Sequence, residues 1–316
     1  MRVLVVGAGA TGGYYGARLA EAGRDVTFLV RPARAEKLAA DGLSVKSPLG
    51  DLHLRAPMTI TADALAAGQG GAFDLVLLSC KAYDLDAAVA DLAPAVRAGT
   101  IVLPILNGMR HLDVLDARFG AERVLGGSCG IMATVGPGGE IRHMSEFATL
   151  TYGERDGSRM PRVEAIEALM RDARFQPKLS PAIVLEMWEK WVFLATLAGI
   201  TCLMRASVGD IVGAPGGREA VEDLYAECVA VAAAAGYAPR EKAAAQARAM
   251  LTQEGAPTTA SMLRDIEARA RIEADHVVGD LIARGDALAP GSRRPGLERA
   301  YTHLKAYERR RAREAA

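Results

Sequence analysis

The apolar positions of this chain follow two regimes. In the first half, short continuous apolar runs alternate with stretches whose apolar residues recur every three to four positions. Residues 2–6 (RVLVV), 25–30 (DVTFLV), 74–79 (DLVLLS) and 101–106 (IVLPIL) are runs of the first kind and read as buried strands. Helical spacing fills 11–22, 33–41 and 83–97 between them. Strand–helix alternation with strands apolar on both faces predicts an α/β fold, a mostly parallel sheet with helices on both faces. Two stretches break the rhythm. Residues 43–56 (LSVKSPLGDLHLRA) read as a hairpin with Pro48 and Gly50 in its turn. Residues 124–153 read as antiparallel strands around the Gly136–Gly139 turn, expected to add an antiparallel edge to the sheet.

After about residue 160 the strand signals stop. Helical spacing covers 182–206, 217–235, 239–253, 258–285 and 294–312, so the second half reads as all-helical. Alanine is dense at 230–249, a bias toward strong helix formers. A length of 316 residues suits two domains. The expected division is 1–178 and 179–316, at the Pro177–Pro181 stretch. No internal repeat or low-complexity linker marks the chain.

Charge changes the picture only by exclusion. Lys plus Arg and Asp plus Glu both number 38, so no basic excess points to nucleic acid or an anionic membrane. The arginines at 309–311 and 313 are interleaved with Glu308 and Glu314 and read as a solvated helix end. Cys80, Cys129, Cys202 and Cys228 form no Cys-x-x-Cys pair and fit reduced thiols in a cytoplasmic protein. The five histidines show no metal-ligand spacing, so no metal is expected. The N-terminus runs straight into a strand and a glycine turn, unlike a signal peptide. The uncharged run Trp191–Met204 is 14 residues, short of the ~20 that span a membrane. The oligomeric state leaves no signal, and a homodimer stays open.

The chemistry begins at residues 7–12, Gly-Ala-Gly-Ala-Thr-Gly, between the first strand and the first helix. Gly7 allows the sharp turn, Gly9 lets a pyrophosphate approach the backbone, and Gly12 lets the helix pack on the sheet. The helix N-terminus, with Ala8, Ala10 and Thr11 in the same loop, offers free N–H groups to phosphate. This is the signature of a Rossmann-type dinucleotide site, although a glycine turn without ligand has the same letters. The end of the second strand reads Leu29-Val30-Arg31-Pro32, followed by Arg34, with no acidic residue to hold ribose hydroxyls. Arg31 is placed for a 2′-phosphate and favours NADP(H), against the alternative of a surface arginine ending a strand.

Further short motifs then follow in order: Ser79-Cys80-Lys81-Ala82, Leu106-Asn107-Gly108-Met109, Glu186-Met187-Trp188-Glu189-Lys190-Trp191, Ser261-Met262-Leu263-Arg264-Asp265 and Glu273-Ala274-Asp275. With the glycine loop, this order and spacing resembles the ketopantoate reductase (2-dehydropantoate 2-reductase) family over nearly the whole chain. The resemblance implies NADPH-dependent reduction of a small 2-oxo acid, with a Rossmann domain in front and a helical domain behind. It implies that Lys81 lies near the cofactor. Asn107 is similar to the family's asparagine at nicotinamide and substrate, Lys190 to its proton-donating lysine, and Ser261 to the serine on the substrate carboxylate. Glu273 is similar to its helical glutamate near cofactor and lysine.

The chemistry asks for the same residue types. Hydride arriving at a ketone carbon leaves negative charge on oxygen, which a nearby cationic donor stabilises and protonates. Trp188 and Trp191 flank Lys190 and suggest partial desolvation, and a carboxylate such as Glu273 could hold the ammonium. Bland alternatives stand beside these roles: Glu186/Lys190 and Arg269/Glu273 as i,i+4 ion pairs, Asn107 as an ordinary Asn-Gly turn, Ser261 as a helix N-cap.

The match fails in two places. The family usually carries asparagines four and eight residues after its lysine, where this chain has Leu194 and Ala198 on the same helix face. The family's Thr-Glu-Ile-Asp pattern also departs, reading Ile272-Glu273-Ala274-Asp275. The reaction machinery is kept while part of the substrate-recognition set is not. The leading expectation is reduction of 2-dehydropantoate to pantoate. The alternatives are a related dehydrogenase for a more apolar keto acid or an imine, and a catalytically silent NADP(H)-binding protein.

Overall fold

The computed structural model describes residues 1–315. They divide into two compact units, one of Met1–Leu106 with His111–Val184, the other of Asn107–Arg110 with Leu185–Ala316.

The first unit opens β1 (Arg2–Val6), α1 (Ala10–Glu21), β2 (Asp25–Leu29), α2 (Pro32–Asp41), β3 (Leu43–Lys46), β4 (Leu52–Leu54), β5 (Met58–Ile60) and α3 (Ala62–Ala66). It continues β6 (Leu75–Leu78), α4 (Leu85–Leu92), β7 (Ile101–Pro104), α5 (Arg110–Phe119), β8 (Gly126–Gly130), β9 (Ala133–Val135), β10 (Ile141–His143), β11 (Thr149–Gly153), α6 (Pro161–Met170) and β12 (Gln176–Leu179). The apolar runs form one five-stranded sheet in the order β5-β2-β1-β6-β7, with every pair parallel. Counted along the chain, that order is 3-2-1-4-5. The direction of winding reverses between β1 and β6, and ligands of open α/β sheets bind at such a switch point, outside the carboxyl ends of the strands.

The antiparallel strands are where the pattern put them but do not extend this sheet. β3, β4, β9 and β10 form a separate sheet in the order β4-β3-β10-β9, and β8, β11 and β12 form a third. A single bridge, Val102 to Val124, continues from β7. Helix α1 explains the separation, because its buried face packs away from the parallel sheet as well as on it. Tyr14 and Tyr15 are fully buried; the Tyr15 hydroxyl donates to the Thr149 carbonyl at 2.7 Å, and the Tyr14 ring lies 4.7 Å from that of His143. Strands also do not stop at residue 160. β12, Gln-Pro-Lys-Leu, pairs parallel with β11. It lies in the first unit, which runs to Val184.

The second unit is helical: α7 (Ile183–Met204), α8 (Val208–Gly213), α9 (Gly217–Ala234), α10 (Glu241–Leu251), α11 (Ser261–Glu267), α12 (Asp280–Leu288) and α13 (Pro295–Ala315), with α7 beginning two residues before the division. Its helix ends are tied by side chains. Glu227 of α9 accepts from the Gly296 and Leu297 N–H groups at 2.9 and 2.8 Å, setting a carboxylate at the positive end of α13.

The predicted helix over 258–285 is two helices with a break. α11 ends in a Schellman arrangement, with Ala270 N–H on the Asp265 carbonyl and Arg269 N–H on the Ile266 carbonyl, at 2.8 and 3.0 Å. Arg269 takes the left-handed position, φ 54°, that glycine usually fills. The Tyr307 hydroxyl and Arg311 side chain hold the break by donating to the Ala270 and Arg269 carbonyls. After the break the chain re-enters helix at Ala274 and runs through a π-helical turn, Asp275–Gly279, into α12. Among the described residues no helix is long and apolar enough to cross a membrane, and no three His, Cys, Asp or Glu side chains gather as a metal site.

Candidate active site

In the first unit the chain leaves β1 at Val6 and turns at Gly7, whose φ of 93° is left-handed territory. Gly9 is the N-cap of α1 and supplies no side-chain cap, and no acidic residue occupies the first turn. The N–H groups opening α1 are therefore left for an outside acceptor. A Cβ built on Gly9 would meet nothing within 4 Å, so the space above the loop is open. Beneath it, Ser79 at the end of β6 donates to the Val6 carbonyl at 2.9 Å. A Cβ on Gly12 would fall 1.9 Å from Ser79 Oγ and 2.6 Å from the Gly7 carbonyl. Ala8 is buried, while Ala10 and Thr11 are half-buried. The result is a backbone cradle at the switch point that fits a dinucleotide's pyrophosphate. Gly12→Ala is expected to push Ser79 and Gly7 apart, lowering stability by about 1–3 kcal/mol as over-packing does. Cofactor affinity, read by NADPH fluorescence titration, should fall with it; an unchanged Kd would show that the loop does not hold the cofactor.

Two arginines stand beside the cradle. Arg31 is the N-cap residue of α2 and its Nη2 lies 3.0 Å from Asp84 Oδ2, with the arginine side chain 77% exposed. So exposed a pair is worth ~0–1 kcal/mol and yields readily to a phosphate. Arg34 donates from Nη2 to the Ala8 carbonyl at 3.1 Å and the Gly139 carbonyl at 3.2 Å, tying the β9–β10 turn to the glycine loop. Burial pulls its pKa below the ordinary arginine value. Sequence reading noted Arg34 but gave it no part; one helical turn past Arg31 was the available signal. Lys81 follows Ser79 and is exposed at the start of a 3₁₀ turn, Ala82–Asp84, at the same edge.

In the second unit α7 carries Lys190, half-buried between two buried tryptophans. Trp188 and Trp191 have ring centroids 4.9 Å apart, and Trp188 stacks on Tyr237 at 5.7 Å. Arg240 clamps the preceding residue: its backbone N–H and Nε donate to Glu189 Oε1 at 2.9 and 2.8 Å. It also lies 3.9 Å from Glu186. Glu186, the sequence's ion-pair alternative for Lys190, thus has Arg240 as a neighbour.

The Trp191 indole donates to the Val277 carbonyl at 2.8 Å, which fixes α7 against the π-helical turn. Glu273 sits at the mouth of that turn, half-buried, just before the helix rather than on it. Because of the break at Arg269, Arg269 and Glu273 are not on one continuous helix.

The Asn107-Gly108 turn reaches the same place. A Cβ on Gly108, φ 78°, would lie 2.9 Å from the His276 carbonyl and 3.0 Å from its ring. The His276 imidazole donates to the Asn107 carbonyl. Asn107, the Lys190 segment of α7 and Glu273 therefore meet around one π-helical turn. Ser261 lies elsewhere in this unit. It is the exposed first residue of α11, whose N-cap is Ala260, so its N-cap alternative is not realised. The Ala260 N–H reaches Thr201 Oγ1 at 3.4 Å, placing the start of α11 eleven residues along α7 from Lys190.

Comparison with known proteins agrees in both units. Residues 3–157 match the family model for ketopantoate reductase PanE/ApbA, and residues 182–308 match the model for its C-terminal part. The uncharacterized oxidoreductase YkpB of Bacillus subtilis (strain 168) is 36% identical over 308 residues, covering 98% of this chain and 99% of that protein. A 2-dehydropantoate 2-reductase of Archaeoglobus fulgidus is 30% identical, covering 90% of this chain and 91% of that protein. The crystal structure of 2-dehydropantoate 2-reductase from Geobacter metallireducens GS-15 superposes with a TM-score of 0.86 at 28% identity, covering 97% of this chain and 99% of that one.

Proposed function

The chain belongs to the ketopantoate reductase family, and from that premise we propose that it reduces the keto group of a small 2-oxo acid with NADPH. 2-Dehydropantoate is the first named candidate, to be measured against more apolar acids. The observation that carries the reading is the meeting of the Lys190 segment, Glu273 and the Asn107 turn around one π-helical turn.

Bound nicotinamide supplies the hydride. This chain's residues supply binding, orientation and the proton. Backbone N–H groups of residues 9–12 take the pyrophosphate, and Arg31 takes the 2′-phosphate with Arg34 and Lys81 beside it. Lys190 meets the carbonyl oxygen, stabilises the charge that develops there and gives it a proton. Glu273 holds the ammonium in place. Asn107 orients nicotinamide and substrate; Ser261, at the start of α11 eleven residues along α7 from Lys190, is not given the carboxylate beside that carbonyl. Consumption of NADPH across a panel of 2-oxo acids, ketopantoate among them, tests the reading; no turnover with any of them would leave a cofactor-binding protein without this activity.

Arg31 gives the cofactor preference its own test. In Arg31→Ala, NADPH binding should weaken by about 1.5–3 kcal/mol, roughly 10- to 150-fold in Kd, with little change for NADH. Wild-type protein binding both cofactors equally would sink the assignment.

A further inference from the structure

Residues 107–110 follow β7 in the chain, yet they belong with the helical unit. What they meet there is one side of the π-helical turn. Gly108 packs so tightly on residue 276 that a single Cβ would overlap its carbonyl. His276 as a whole is only 5% exposed. An apolar side chain would fill that volume as well, but the residue present is a histidine whose ring N–H is directed at the Asn107 carbonyl. Buried polar groups are kept where they have partners, and this one fixes a backbone carbonyl next to a left-handed glycine.

The turn that holds the imidazole is itself held from other sides. Val277 gives its carbonyl to the Trp191 indole of α7. Asp275 accepts from the Tyr301 hydroxyl at 2.7 Å and from the Lys305 ammonium at 2.9 Å, both on α13. A Cβ on Gly279 would lie 2.9 Å from the Tyr301 ring. π-Helical turns are rare and concentrate at functional sites, and such geometry persists where surrounding contacts over-determine it.

We infer that His276 is the positioning residue for the Asn107 turn: by fixing the Asn107 carbonyl from a π-helical turn locked to α7 and α13, it sets the direction of the Asn107 side chain toward nicotinamide and substrate. The inference rests on the reading of Asn107 given above. His276 touches neither cofactor nor substrate; it acts through Asn107. Burial lowers its pKa below the ordinary histidine value, against raising contributions from Glu273, Asp280 and the Asn107 carbonyl and a lowering one from Arg110. At neutral pH it is therefore a neutral ring with one fixed donor.

The test compares His276→Phe, which keeps a ring and loses the donor, with His276→Gln, which keeps a donor. kcat/KM on the best 2-oxo acid should fall about 3- to 10-fold in His276→Phe, the worth of one neutral hydrogen bond, and recover in His276→Gln. The emission of protein-bound NADPH, which reports on the nicotinamide, should shift in the first and return in the second. ADP-ribose, a probe of the glycine-loop half alone, should bind all three proteins equally. Identical activity and emission in His276→Phe would overturn the inference. So would parallel losses of ADP-ribose affinity and thermal stability in both variants, which mark mere packing. If His276→Phe does not fold, Gly108→Ala lifts the turn off an intact His276 and should show the same loss; unchanged activity and emission there overturn the inference. If no protein reduces any 2-oxo acid while the emission pattern holds, the proposed reaction fails and the positioning role stands.

Discussion

Lys190→Ala should lower turnover by roughly 10²- to 10⁴-fold, the usual range for loss of a general acid, while NADPH affinity stays nearly constant. The expectation of unchanged binding follows from where the residues lie. The phosphate cradle is built from Gly7–Gly12 and Ser79 in the first unit, whereas Lys190 belongs to the second. Folding should survive as well, because alanine is the strongest helix former and α7 is held by its neighbours. Trp188 stacks on Tyr237, Trp191 bonds to Val277, and Arg240 grips Glu189. None of these contacts uses the Lys190 ammonium. Lys190→Arg sharpens the result. It keeps the positive charge but gives up its proton far less readily, so its residual rate separates charge stabilisation from proton delivery. Single-turnover kinetics at saturating NADPH provide the measurement. Full activity in Lys190→Ala would return the residue to a half-buried member of an ion-pair cluster with Glu186 and Arg240.

What the sequence revealed about this site, and what it hid, follows from the range of the interactions. The parallel strands and long helices are written in local periodicity, and the bounds of β1, α1, α9 and α13 differ from the pattern by no more than a few residues. The glycine loop was legible for the same reason, since its turn, its phosphate-facing backbone and its helix are neighbours in sequence. β12 was hidden because Gln-Pro-Lys-Leu has no apolar alternation and Pro177 lacks a ladder donor; its strand state comes from pairing with β11. The break before Glu273 was hidden because arginine, not glycine, fills the left-handed position, and the contacts that hold it come from Tyr307 and Arg311, about 40 residues on. The antiparallel strands were legible one hairpin at a time, but which sheet they joined is a long-range matter decided by the packing of α1. Ser79 was quoted within a motif, yet its role as the support under Gly12 is visible only when β6 stands beside β1. His276 had no sequence signal at all, because its partner is a carbonyl 169 residues earlier.

The second large effect concerns substrate choice, and it turns on Leu194 and Ala198. At 1.5 Å per residue they lie about 6 and 12 Å along α7 from Lys190, on the same face of the helix. Leu194 is half-buried and Ala198 is buried. Two other residues further along the chain could in principle replace the missing amides, and the structure argues against both. Thr201 is fully buried, and its hydroxyl already donates to the Leu197 carbonyl at 2.6 Å and accepts from Ala260. Arg205 is exposed beyond the end of α7, some 22 Å from Lys190 along the axis. If this face lines the pocket for the substrate's tail, a hydroxyl there loses its water without gaining an amide, at about 1–3 kcal/mol per unsatisfied group, or roughly 5- to 150-fold in specificity. An apolar tail gains instead, at about 0.8 kcal/mol per buried CH₂. The expected result is that kcat/KM for branched, hydroxyl-free 2-oxo acids equals or exceeds that for ketopantoate. Leu194→Asn, a change of similar volume at a half-buried position, should move the ratio toward ketopantoate by about tenfold, the worth of one hydrogen bond to a hydroxyl. Ala198→Asn is the poorer test, since extra atoms at a buried alanine cost about 1–3 kcal/mol whatever the substrate. A wild-type enzyme strongly selective for ketopantoate over its deoxy analogue would show that hydroxyl partners lie outside this face of α7, and the apolar-tail reading would fall.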